Sequence, residues 1–240
     1  MVFRFADLNI EINSVYPNVQ NFCKKYEINE YDHIDFSVTT TDADIDAEIS
    51  ISEKNGAPTS SRKYAESLAV YRKICERILE YDGFLMHGVL LEYDNSGYLF
   101  TAKSGVGKTT HAFLWKKAFG EENVSIINGD KPIIRFVDGK VYAYGTPWCG
   151  KEGYHKNARV ELRGIGFVER CEENSALAID ADVSFPLVLS QIMLIDSANV
   201  EKQLELVDTL LNKVSVYRLK CNMDVSAATT AYNEMKKAAQ

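Results

Sequence analysis

Apolar positions along this chain change their period repeatedly, and the changes mark out its elements. Residues 3–12, 34–39 and 44–52 carry the alternating pattern of half-buried strands. The cluster Lys54-Asn55-Gly56-Ala57-Pro58 then reads as a turn. From 61 to 81 the spacing of Tyr64, Leu68, Tyr71, Ile74, Cys75 and Ile78 is helical. Strand patterns return at 84–93 and 98–101. A helix is predicted over 110–119, with Phe113, Leu114 and Ala118 as its apolar positions and Gly120 as its stop. Short strands follow at 124–127, 133–136, 141–144 and 159–169. Towards the end Val200, Leu204, Val207, Leu211 and Val214 share one helical face, and Asp224 caps a last helix running towards Lys237. The order predicts a mixed α/β (α+β) chain: a small β-rich N-terminal subdomain over 1–60, and a larger domain over 61–240 that ends in helices.

The acidic tract 42–48 admits two readings. Asp42, Asp44 and Asp46, with Glu53 at the twelfth position, imitate a calcium-binding loop. That loop needs glycine at its sixth position, where this chain has Ala47. Ile45, Ala47, Ile49 and Ile51 alternate with the acids, so the tract is read as an acidic strand face.

The segment with the most specific chemistry is Ala102-Lys103-Ser104-Gly105-Val106-Gly107-Lys108-Thr109-Thr110. It fits the Walker A phosphate-loop pattern with alanine in place of the first glycine. Gly105 and Gly107 let the backbone turn so that successive N–H groups face inward on an anion. The helix that follows adds its positive N-terminal end. In this reading Ser104, Gly105, Val106, Gly107, Lys108, Thr109 and Thr110 bind the nucleotide. Lys108 reaches the outer phosphates, and the Thr109 hydroxyl holds Mg²⁺. Strand, glycine loop and helix is the arrangement such chemistry requires.

Several residues gather around that loop. The turn Asp94-Asn95-Ser96-Gly97 between two strand patterns predicts an antiparallel hairpin. With the turn centred between Asn95 and Ser96, residue 101 faces 90 and His87 comes level with Ser104. Asp130 follows the short apolar strand at 124–127, where a second acidic contributor to a Mg·ATP site belongs. It is assigned to metal binding or to the acceptor hydroxyl, against the alternative of an Asx turn. Lys151, in the glycine-flanked loop 145–151, is a candidate to neutralise transferred phosphate or grip an acceptor, against the alternative of a solvated surface lysine. Glu161, alternating with Arg163, is a candidate metal ligand or a surface ion pair.

Composition narrows the partners. Hydrophobic residues make up 46% of the 240 and charged residues 25%, which is ordinary globular material. A net charge of -7 argues against general binding of nucleic acid or anionic membranes. The sequence shows no membrane-span pattern and no signal-peptide pattern. Its five scattered cysteines read as free thiols of a reducing compartment, so a cytoplasmic location is expected.

His87-Gly88-Val89-Leu90-Leu91, the hairpin and Ser104-Gly105-Val106-Gly107-Lys108, taken in order, resemble the HPr kinase/phosphorylase family and its relatives of the phosphoenolpyruvate-carboxykinase-type nucleotide fold. Glu161-Leu162-Arg163-Gly164-Ile165-Gly166 is similar to that family's second signature. The resemblance covers roughly residues 84 to 170. It implies an ATP-dependent kinase with Mg²⁺, a hydroxyl acceptor (often serine in a protein or peptide) and a homo-oligomeric enzyme. His87, Asp130, Lys108 and Lys151 become the expected catalytic residues, and Thr109, Asp130 and Glu161 the expected metal ligands. Three departures stand out. Gly129-Asp130 offers one aspartate where the family shows two. No counterpart of the family's phosphorylase loop follows Glu169, and Thr109-Thr110 is closer to the carboxykinase version of the loop. A catalytically impaired ATP-binding sensor or scaffold is the alternative from another class. A small-molecule kinase or carboxykinase relative is a third.

Overall fold

The computed structural model describes residues 1–54, 56, 61–193 and 199–239. It divides into two compact units, Met1–Glu80 and Tyr81–Gln240. The division expected at 60 falls ahead of a helix that packs within the first unit.

In the first unit, β1 (Val2–Phe5) and β2 (Leu8–Asn13) are two strands where one was expected. Ala6 and Asp7 both adopt positive φ (52° and 62°) and fold the segment into a tight hairpin. After α1 (Asn18–Phe22), β3 (Phe36–Thr39) joins β2 in parallel. The acidic tract is helical, not a strand: α2 spans Asp42–Lys54. Thr41 and Asp44 form a reciprocal cap at its start, the Thr41 hydroxyl and amide each 2.8 Å from Asp44 Oδ2. Ile45 and Glu48 are buried and Ile49 and Ser52 half-buried, so the inward positions fall at helical spacing. The acids meet cations of α3 (Arg62–Arg77): Asp42 and Asp46 pair with Arg62, Asp44 with Lys73, and Glu48 with Arg72. Ser61 caps α3, accepting from the Tyr64 amide at 3.3 Å.

The second unit is built on a nine-stranded mixed sheet. Its strands are β4 (Gly83–Leu85), β5 (Val89–Tyr93), β6 (Ser96–Thr101), β7 (Ser125–Asn128), β8 (Ile133–Val137), β9 (Lys140–Tyr144), β10 (Arg159–Arg170), β11 (Ser175–Ile179) and β12 (Ser215–Cys221). Its helices are α4 (Lys108–Phe119), α5 (Ala181–Leu189), α6 (Val200–Leu211) and α7 (Ser226–Met235). The long β10 is shared. Its first residues pair antiparallel with β9, and the rest runs parallel to β6 and to β12. The strand expected over 84–93 is broken at Met86–Gly88, with β4 pairing β8 and β5 pairing β6 and β7. The C-terminal part is not wholly helical, because β12 lies between α6 and α7.

One sheet edge organises the second unit. β5 runs antiparallel to both β6 and β7, so β6 and β7 point the same way, as do β10 and β12. The carboxyl ends of β6, β7, β10 and β12 therefore lie along one edge, together with the start of β5. In open α/β sheets this is the edge on which ligands collect. Beneath it α4 and α7 cover the sheet. Trp115, Tyr98, Phe100, Tyr217, Leu219 and Met235 are nearly sealed from solvent in that core.

Candidate functional site

The chain leaves β6 at Thr101, turns through 102–107 and enters α4 at Lys108. Gly105 (φ 79°) and Gly107 (φ 125°) sit where L-side chains are strained, which is why the turn needs glycine at both. The first bond of the helix runs from the His111 amide to Gly107 O at 2.9 Å. Amides of the opening turn, Lys108, Thr109 and Thr110 among them, thus have no acceptor within the helix. Lys108 folds back across the loop, its Nζ donating to Ala102 O at 3.1 Å. Burial pushes this ammonium down from its ordinary range, while Asp130 pushes it up and Lys131 down. Ser104 is exposed, and Val106, Thr109 and Thr110 are half-buried.

A residue that the sequence reading missed holds the loop from the β10 side. Arg170 donates from Nε to Val106 O at 2.9 Å and from Nη2 to Gly105 O at 2.6 Å. In a trans peptide the N–H points opposite to the C=O. By holding these two carbonyls, Arg170 turns the amides of Val106 and Gly107 away from itself, the Val106 amide donating to Lys103 O at 3.3 Å. The parallel pairing of Phe167 with Thr101 brings Arg170 level with the loop, and strand patterns alone do not reveal that pairing.

On the other flank, β7 ends at Asn128, which is fully buried. Its Oδ1 accepts from the amides of Asp130 (2.9 Å) and Lys131 (2.6 Å), and its Nδ2 donates to Thr146 O (2.9 Å). The Asx turn weighed as the alternative for Asp130 is therefore present, built by Asn128, and it presents Asp130 at the sheet edge. His87 Nε2 lies 3.2 Å from Asp130 Oδ1, and Lys131 Nζ contacts Oδ2. Burial raises the Asp130 carboxyl, but His87 and Lys131 outweigh it and hold the group at about 2. The hairpin reaches this arrangement in a register two residues from the expected one. Asp94 and Asn95 alone form the turn, both at positive φ, and Leu99 faces Leu90. His87 is instead fixed by its backbone: its amide donates to Gln191 O at 2.7 Å, and Thr101 Oγ1 lies 2.8 Å from its carbonyl.

Of the other expected site residues, Glu161 lies elsewhere and Lys151 beside the site. Glu161 pairs with Lys140 at 2.7 Å, both side chains about half exposed. Leu162 pairs with Gly97 near the start of β6. At about 3.3 Å per residue, Glu161 lies roughly 15 Å or more from a loop that follows the end of β6. It is a surface ion pair remote from the glycine loop. Lys151 is exposed in the loop beyond Gly150, and no ion pair ties it to Asp130 among the described residues. Its neighbour does touch the site, since a Cβ on Gly150 would stand 3.2 Å from Asp130 Cβ.

The single aspartate has a steric reason. A Cβ on Gly129 would stand 2.5 Å from Cys149 O, so no side chain fits beside Asp130 without moving backbone. We expect Gly129→Asp to lower unfolding stability in urea by about 1–3 kcal/mol, the cost of overpacking. A variant as stable as wild type contradicts this account.

His111, on α4, is 2% exposed. Its Nε2 accepts the Trp115 indole N–H at 3.1 Å, and burial holds its pKa down at about 4 against an ordinary 6.5. The unfolded ring takes up a proton below about 6.5, whereas the folded ring stays neutral until about 4. The stabilisation is full above the first value and is lost as pH falls towards the second. Unfolding free energy should drop by up to about 3 kcal/mol across that window, and His111→Phe should flatten the slope in urea melts at about pH 7 and 4.5.

Together the unit is a mixed α/β fold with a glycine loop at the shared carboxyl edge of its strands, a lysine folded over the loop and an aspartate on its flank. Among proteins of known structure, the HPr(Ser) kinase/phosphatase from Coxiella burnetii aligns with this chain at 10% identity, covering 65% of this chain and 92% of that one with a TM-score of 0.40. No family model matches the chain, and no curated protein does. So loose a superposition leaves the chemistry to be read from the residues themselves. No described helix is long and apolar enough to cross a membrane.

Proposed function

We propose that this protein is an ATP-dependent phosphotransferase, HPr-kinase-like, which moves the terminal phosphoryl group of a magnesium nucleotide to a hydroxyl, such as a serine of a protein or peptide. The observation that carries the reading is the juxtaposition of Lys108, buried and folded back over the glycine loop, with the Asp130–His87 pair on the loop's flank. A polyanion in the loop gives the desolvated Lys108 ammonium its counter-charge. Phosphoryl transfer through a loose transition state asks mainly for positioning and charge stabilisation. A carboxylate held at about 2 is a poor proton acceptor at neutral pH. Asp130 therefore acts chiefly by its charge, orienting the acceptor hydroxyl together with His87.

Magnesium takes few protein ligands, leaving the rest of its shell to phosphates and water. The half-buried Thr109 hydroxyl and the ionised Asp130 would hold the ion, which would supply neutralisation of phosphate charge. Among the described residues no group of three or more His, Cys, Asp or Glu side chains is gathered that could hold a metal. Glu161 stands too far away to contribute.

Gly129 supports a second reading, a nucleotide-binding sensor or scaffold that transfers nothing. Labelled ATP, magnesium and cell lysate with the purified chain separate the two. Label appearing on a protein or small molecule supports the kinase. Binding without transfer to any acceptor supports the sensor.

A further inference from the structure

On the flank of the loop away from β7 lies a cleft of ≈ 530 Å³ at the carboxyl ends of β10 and β12. Thr110, His111 and Leu114 wall it from α4, Val168 and Cys171 from β10 and its exit, and Cys221 from β12. The helix residues fall at helical spacing, so one face of α4 runs from the phosphate loop straight into the cleft. Its volume lies within the range of small-molecule sites, about 300–1,000 Å³.

His111 supplies the second observation. Since Trp115 donates to Nε2, that nitrogen carries no proton, and in a neutral imidazole the proton must sit on Nδ1. Nδ1 is a buried donor with no hydrogen-bond partner among the described residues. A buried donor left unmade is costly, and an acceptor on a bound ligand removes that cost.

We infer that the cleft seats the nucleoside half of the phosphoryl donor, with the His111 Nδ1–H donating to an acceptor atom on its base. This rests on the nucleotide reading above and adds the direction in which the donor lies. Leu114 and Val168 offer apolar faces to the flat ring. The phosphates pass over the loop amides, and the terminal one points towards Lys108 and Asp130. Sheet order fixes this sense, because β10 and β12 lie on one side of β6 while β7 lies on the other.

Calorimetry on the full chain with magnesium tests the inference, comparing ATP with inorganic tripolyphosphate. Wild type should bind ATP at least about tenfold more tightly, the nucleoside contributing the difference. Cys171→Trp, at an exposed position on the cleft's mouth, should abolish that advantage and change tripolyphosphate affinity less than about twofold. His111→Phe should weaken ATP about tenfold, the worth of one hydrogen bond, without touching tripolyphosphate. Thermal melts check that both variants fold. Should His111→Phe fail to fold, Cys171→Trp decides. Equal affinity of wild type for the two ligands, or equal loss of both in the variants, overturns the nucleoside cleft and leaves the phosphate loop standing. Binding of neither ligand by wild type overturns both.

Discussion

Lys108→Ala is expected to weaken Mg·ATP binding about a hundredfold and to bring phosphoryl transfer down to background. A charge-assisted hydrogen bond contributes about 1.5–3 kcal/mol, and here the lysine is also the cation that neutralises the outer phosphates. The same side chain closes the loop through Ala102 O, so the variant also loses a buried contact. That part of the effect is separable: Lys108→Met keeps most of the aliphatic stem and should fold like wild type while still failing to bind. Wild-type affinity in either variant would mean that the loop does not grip phosphate through this ammonium, and the kinase reading would go with it.

The second large effect belongs to Asp130. Asp130→Asn keeps the shape but removes the charge and turns one of two acceptor oxygens into a donor, and should lower transfer by about 10²–10³-fold, the usual worth of one preorganised electrostatic group. ATP affinity should change far less, because the loop amides and Lys108 remain. The variant also removes a carboxylate whose depressed pKa stabilises the fold. That stabilisation is complete above the unfolded pKa near 3.8 and vanishes as pH falls towards about 2. Partial exposure limits it to about 1–2 kcal/mol at neutral pH. Transfer equal to wild type would remove Asp130 from the mechanism and leave His87 as the group to examine.

Much of this architecture is legible in the residues. Gly105, Gly107 and Lys108 announce their loop because only glycine tolerates its backbone, and Gly120 announces the end of α4 for the same reason. The failures have physical causes. The acids of 42–48 sit at both helical and strand spacing, and the tertiary context that buries Ile45 and Glu48 and sets Arg62, Arg72 and Lys73 opposite the acids is invisible in the local pattern. Ala6-Asp7 makes a two-residue turn without the asparagine-glycine signature, so the first hairpin passes for one strand. β12 was readable, since Tyr217, Leu219 and Cys221 alternate with Arg218 and Lys220, but the helical face ending at Val214 masked it. Arg170 and Asn128 are a different matter. Their roles come from which strands lie side by side, and no local pattern carries that information.

The turn of Asp94 and Asn95 lies at the head of β6, the far end from the loop that follows its tail. Length added there would burden neither the glycine turn nor the aspartate. A short peptide tag or a dye-bearing cysteine spliced between these two residues should leave ligand binding intact, giving a handle for immobilising the protein with its working edge facing solution.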